Sequence, residues 1–292
     1  ALKKTRRCLL DSVILSERFE YVNEGLEYGF LIPKYDAFGR RIHSVLTNLD
    51  RRERANFRNK HFLLSLLCEV DAKHSHPYLL FRLYMNPYCL TYAFKDAEVL
   101  RQMSNVLDDV YFDDEFLYDY QLSLDNGTFY SEFFYCLMED SIADWKGFIK
   151  AKHIKENPQD KHKKFSDIEL SKLTFMYVVN GGAKPILDAL SENPSYEGFT
   201  RLIFLMQNTW IDKNSPELKG VKDYLPHKNL PMILQRIESK VMQTAYASEK
   251  VIWGLLLHDS IFCMEKDKEA VKRSIESAYL DLDLGMPNIK FK

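Results

Sequence analysis

The sequence predicts an α/β fold, mostly helical, with one small antiparallel sheet. Three observations predict it. Apolar residues at helical spacing recur along the chain, as in Val99, Leu100, Met103, Val106, Leu107 and Val110. An apolar run from Phe62 to Val70 ends in Asp71. The stretch Leu255-Leu256-Leu257-His258-Asp259-Ser260-Ile261-Phe262-Cys263 reads as two short buried strands joined by a tight turn, with His-Asp at the tip.

Composition sets the class. With 292 residues, 46% hydrophobic and 28% charged, the chain can bury a sizeable core and is not of the disordered type. No apolar run approaches the roughly 20 residues of a membrane span. The basic start, Ala1 to Arg7, lacks a following apolar stretch, so no signal peptide and no membrane partner are expected. The five cysteines, Cys8, Cys68, Cys89, Cys136 and Cys263, are scattered without a Cys-x-x-Cys pair. They read as buried thiols in a reducing, intracellular compartment (cytoplasmic, a host cell's were the source viral). Net charge is only −2, but the cations cluster. Arg51, Arg52, Arg54, Arg58 and Lys60 form one group; Lys150, Lys152, Lys155, Lys161, Lys163 and Lys164 form another. Either group suits a phosphate backbone or, more plainly, a solvated face.

In order, residues 1–35 read as mainly helical, with Pro33 as a stop. A turn around Gly39 and a short extended piece follow, then a basic helix-like segment over 50–61. The run 62–72 reads as a buried strand, although periodicity alone does not separate it from a buried helix. Ser75 and Pro77 signal a helix start, the Ser75 hydroxyl acting as cap. Residues 95–150 read as helical, with the aromatics between Tyr111 and Tyr135 in the core and a turn at Asn126-Gly127. The polar segment 150–165 reads as an exposed connection. Ser166 and Glu169 make a capping box, and Asn180-Gly181-Gly182 stops the helix that they start. Further helices are expected from Pro185 to Trp210, from Leu234 onward, and from Lys266 to Leu282.

Three stretches stand in order: a strand ending in Asp71, a helix carrying Lys172 and ending at Asn180-Gly181, and a hairpin bearing His258-Asp259-Ser260. Together they resemble the A, B and C motifs of the family A DNA polymerases and the bacteriophage-type single-subunit RNA polymerases. In that superfamily the second motif has a Lys eight residues before a Tyr-Gly pair, a spacing that Lys172 and Gly181 keep. The third motif is His-Asp-Ser in the RNA polymerase branch. The departures are Ile168 where an Arg is usual, Asn180 in place of the Tyr, and His76 where the DNA polymerases carry a Glu. Lys163 or Lys164 could supply the missing cation.

The resemblance implies a polymerase palm with helical fingers: 1–61 as an N-terminal helical, template-contacting region, 62–99 and 226–292 as the two parts of the palm, and 100–225 as fingers. It implies two Mg2+ ions on Asp71 and Asp259, with Lys172 and His258 beside them. Asn180, Gly181, His76, Lys163, Lys164, Arg54 and Arg58 would contact nucleotide or template. The expected function is template-directed nucleic acid synthesis from nucleoside triphosphates, leaning to the RNA polymerase branch on a DNA template. The alternatives are a DNA polymerase of the same superfamily, or a degenerate polymerase fold that binds nucleic acid or a partner subunit. A further protein subunit is expected to complete so short an enzyme. A zinc hydrolase built on Asp71, His74 and His76 lacks evident third and fourth ligands of the usual kind.

Overall fold

The computed structural model describes residues 34–43, 58–59, 65–248, 251, 254–257 and 259–291. Its elements, in chain order, begin with β1 (Lys34–Tyr35), β2 (Ile42–His43), β3 (Arg58–Asn59) and β4 (Ser65–Ala72). Nine helices follow: α1 (Ser75–Met85), α2 (Leu90–Ala93), α3 (Ala97–Asp108), α4 (Asp114–Asp125), α5 (Phe133–Ser141), α6 (Trp145–Glu156), α7 (Asp167–Val179), α8 (Lys184–Leu190) and α9 (Glu197–Asn208). The long α10 (Asn229–Tyr246) leads to β5 (Gly254–Leu257), β6 (Ser260–Met264), α11 (Lys268–Asp281) and β7 (Ile289–Phe291). The class is therefore mostly helical α/β with a small antiparallel sheet. Two compact units arise, Ala1–Ser75 with Gln235–Lys292, and His76–Leu234.

The first unit holds the described strands. β4 is central: β6 pairs along one edge, while β3 and β7 share the other, and β5 completes the sheet beyond β6. All these pairings are antiparallel. The run predicted over 62–72 is a strand over Ser65–Ala72, and 62–64 lie outside the described residues. The predicted hairpin is β5–β6, with Leu257 opposite Ser260 across a two-residue turn. Side chains alternate across a strand. One face of β4 and β6 carries Cys68, Val70, Ala72, Ile261 and Cys263, all buried. The other carries Glu69 and Asp71 opposite Phe262 and Ser260. α11 packs on β4 and β6 and buries Val271, Ile275, Ala278 and Tyr279.

Behind the strand end, α10 grips the β1–β2 turn. Arg236, 2% exposed, donates to the carbonyls of Phe38 (2.9 Å) and Ala37 (3.2 Å). Ser239 and Gln243 donate to the Arg40 carbonyl at 2.6 and 2.9 Å. Asp36 closes the turn by accepting the amides of Phe38 and Gly39. Buried Glu238 accepts hydrogen bonds from Arg41 and from the Ser75 hydroxyl.

The second unit is helical among its described residues. Its core is aromatic: Tyr120 lies 5.0 Å from Phe129 between ring centroids, and Phe175 lies 5.5 Å from both Phe129 and Phe134. The Tyr120 hydroxyl donates to the Pro77 carbonyl at 2.9 Å. Tyr111 and Tyr118 of the same aromatic stretch are exposed.

Several expectations are corrected. Lys34–Tyr35, just past the stop at Pro33, is a strand paired with β2 at the end of the stretch read as mainly helical. Arg58–Asn59 pairs with β4 as a strand, not a basic helix, because an open β4 edge satisfies its backbone groups; the rest of 50–61 lies outside the described residues, as do 1–33. The connection expected at 150–165 is helical as far as Glu156, since Trp145 and Ile149 are buried and Asp144 caps the helix through the Gly147 amide. α10 begins at Asn229 and not at Leu234; Pro231 sits in its first turn, where a missing N–H costs nothing. Ser75 is the first residue of α1 and not its cap, and its hydroxyl donates to Glu238. Cys68, Cys89 and Cys263 are buried free thiols, whereas Cys136 is exposed. No described helix is long and apolar enough to cross a membrane.

Candidate functional site

Asp71 stands at the penultimate position of β4 and is 2% exposed. Its register partners are Ser260 on β6 and Lys290 on β7. The three side chains therefore share one face of the sheet. The Lys290 Nζ lies 3.2 Å from Asp71 Oδ2. Asp259 is half-buried in the β5–β6 turn, immediately before Ser260. The fold thus brings the two predicted aspartates within one residue of the same rung of an antiparallel pair. His258 lies outside the described residues. Glu69 shares the face of Asp71, two residues back along β4, and is buried.

The backbone beyond Asp71 is turned sharply. His74 adopts φ 55°, an uncommon value for a non-glycine residue. Lys73 donates its amide to the Asn288 carbonyl at 2.6 Å, which ties the turn to the β7 edge. Ser75 is then held by Glu238. The strand end that carries Asp71 is fixed by polar contacts on both sides of the turn.

The remaining predicted residues lie in the second unit or outside the description. α7 starts with the full capping box: Ser166 Oγ accepts the Glu169 amide at 3.3 Å, and Glu169 accepts the Ser166 amide at 2.9 Å. Phe175 anchors the helix in the aromatic core, which leaves Lys172 on the exposed side, its Nζ 5.7 Å from the Tyr130 ring centroid. Ile168, one turn earlier, is exposed too. Asn180 is the C-cap, and Gly181 follows with φ 73°. A Cβ on Gly181 would stand 2.7 Å from the Cβ of His227. His76 is half-buried near the start of α1. Lys163 sits 3.5 Å from Glu169 and over the Phe165 ring, and Lys164 is exposed. Arg54 and the Arg58 side chain lie outside the described residues. Part of the basic cluster is neutralised locally, since Lys152 pairs with Glu156 at 2.9 Å.

The donor set at the sheet is all oxygen. Among the described residues no three His, Cys, Asp or Glu side chains converge as a metal cluster. Two carboxylates suit Mg2+, which keeps several waters and takes further ligands from phosphates. They do not suit the nitrogen and sulfur ligation of a zinc centre.

Sequence reasoning missed Lys290, Ser260 and Glu69. Glu69 was signalled by its spacing of two from Asp71 on a strand. Ser260 was signalled by its place beside Asp259. Lys290 had no signal, because a three-residue strand offers no period to read. Compared with protein-family models and with curated proteins, the sequence matches none.

Proposed function

We propose that the chain carries out template-directed nucleotidyl transfer in the manner of a single-subunit polymerase, leaning to RNA synthesis on a DNA template. The observation that carries this reading is the placement of Asp71 and Asp259 at one end of the β4–β6 pair. Adjacent antiparallel strands that present two carboxylates at one end are a means of holding a pair of divalent cations. Bound there, Mg2+ would activate the attacking hydroxyl and offset charge on the leaving pyrophosphate.

The chain's own residues have distinct tasks in this reading. Asp71 and Asp259 hold the cations and set their spacing. Lys172, exposed on a helix fixed by Phe175, offers a cation to the triphosphate. Asn180 and Gly181, at the end of that helix, line the nascent base pair, with His76 and His258 near the substrate. Lys163, Lys164, Arg54 and Arg58 track phosphates without reading sequence. In this reading 62–99 and 226–292, with the β4 strand and the β5–β6 hairpin, form the palm, and the helices within 100–225 form the fingers. A further protein subunit completes the enzyme.

The test is primer extension and primer-independent synthesis on single-stranded DNA and RNA templates, with Mg2+ and labelled NTPs or dNTPs. Incorporation is expected from the wild type and lost in both Asp71→Asn and Asp259→Asn. Incorporation that survives both substitutions would sink the reading. A second reading, a degenerate polymerase fold that only binds nucleic acid or a partner, is favoured by Lys290 standing against Asp71 and by Ile168 and Asn180 at the motif positions. It predicts template binding without incorporation.

A further inference from the structure

We infer that Lys290 is an internal counter-cation of the metal site, exchanged for a divalent ion when the site loads. The inference rests on the two-carboxylate reading above. Three observations carry it. Lys290 is the β7 register partner of Asp71, so the pairing of backbones places its side chain on the face of the carboxylate. Its ammonium reaches Oδ2 at 3.2 Å. The two partners differ in exposure: the Asp71 side chain is 3% exposed and that of Lys290 is 39% exposed.

That asymmetry decides which partner moves. A buried carboxylate needs a positive partner at all times, because an ionised group out of water is costly. A lysine that is two-fifths exposed can swing its flexible stem into solvent at small cost. Lys290 therefore neutralises Asp71 in the metal-free protein and yields when a denser charge arrives. β7 is short and lies on the sheet edge, with Lys73 tied to Asn288 just before it. The backbone that carries Lys290 stays put while its side chain leaves. An ordinary structural ion pair would instead stay closed when the ion binds, so that Mn2+ would leave the exposure of Lys290 unchanged.

The experiment titrates the full chain with Mn2+, free ion being read by electron paramagnetic resonance, for wild type, Lys290→Met, Lys290→Arg and Asp71→Asn. Lys290→Met should bind Mn2+ at least tenfold more tightly than wild type, Lys290→Arg should resemble wild type, and Asp71→Asn should lose the site. A tenfold change corresponds to about 1.4 kcal/mol. A second measurement needs no variant. Acylation of Lys290, followed by mass spectrometry, should rise severalfold when Mn2+ is added to the wild type. Asp71-dependent binding that Lys290→Met does not tighten, or labelling of Lys290 that Mn2+ leaves unchanged, overturns the inference alone. Absence of Mn2+ binding in every form overturns the metal-site reading and the inference with it.

Discussion

Replacing Glu238 by Ala tests whether the acid-bearing end of the sheet is held from behind by α10. Glu238 is 1% exposed, and its carboxylate accepts from both Ser75 and Arg41. Ser75 closes the turn that follows Asp71; Arg41 closes the β1–β2 turn. Without the carboxylate, the Arg41 guanidinium, only 17% exposed, and the Ser75 hydroxyl face a space they cannot fill. Breaking a buried ion pair from one side costs about 3–5 kcal/mol. The orphaned hydroxyl adds about 1–2 kcal/mol, but the two losses share one cavity and overlap. A cost of about 4 kcal/mol follows, close to a thousandfold in an opening equilibrium. Glu238→Gln keeps an acceptor for Ser75 and loses only the charge, so about half that cost is expected. Hydrogen exchange read by mass spectrometry on peptides spanning 65–75 and 254–264 measures it. Protection should fall roughly a thousandfold in Glu238→Ala and about thirtyfold in Glu238→Gln. Protection in 65–75 that stays within about threefold of wild type in Glu238→Ala would refute the anchoring role.

Other predictions follow from the same geometry. Gly181→Ala forces a side chain into φ 73° and toward His227, at a cost of about 2 kcal/mol. Differential scanning should show Tm lower by about 4–8 °C, and an unchanged Tm would contradict the close approach. Burial, with the Cys68 thiol and the carboxylates of Asp267 and Glu265 nearby, pushes the Cys263 thiol from its ordinary 9.0 up to about 12. The folded chain thus keeps a proton that the unfolded chain releases, and stability falls as pH rises through that window. Urea titrations of Cys263→Ala should give a shallower loss between about pH 9 and 12 than wild type; an identical slope would show that the thiol does not contribute. Lys163→Ala combined with Lys164→Ala should reduce the log–log salt slope of single-stranded DNA binding by about 1–2. A slope that does not move places the phosphates elsewhere.

The legible parts of the sequence were those where one physical demand dominates locally. The β5–β6 hairpin could be read because only His258, Asp259 and Ser260 interrupt an apolar run, and a buried run leaves an ionisable pair nowhere but the turn. α7 could be read at both ends, since a capping box and a left-handed glycine are local devices. The illegible parts depend on a partner distant in sequence. β3 and β7 are two and three residues long and exist because β4 offers them an unpaired edge. The end of α6 beyond Lys150 was hidden by its lysines, whose charge reads as a loop until the helix is seen to be anchored by buried Trp145 and Ile149. Ser75 was read as a cap because no local pattern announces Glu238, which lies on α10. The rung that joins Lys290, Asp71 and Ser260 is tertiary throughout.

The motif residues do not weigh equally. Gly181 sits at a motif position, yet α7 requires it for its own termination, so its presence speaks for the helix and not for chemistry. Asp71 is the opposite case. Asp is disfavoured in strands, and a carboxylate 2% exposed on the central strand of a small sheet brings a desolvation cost that folding alone would avoid. Lys290 recovers part of that cost but is itself two-fifths exposed, and a pair of this kind gives less than a packed apolar contact. The double variant Asp71→Val with Lys290→Met separates the two explanations. If Asp71 is retained for what it binds, the apolar pair should leave the chain as stable as wild type or more stable by about 1–4 kcal/mol in urea unfolding, while abolishing Mn2+ binding. If Asp71 is retained for the fold, the same variant should lose more than about 2 kcal/mol, and the strongest support for a two-carboxylate metal site would go with it.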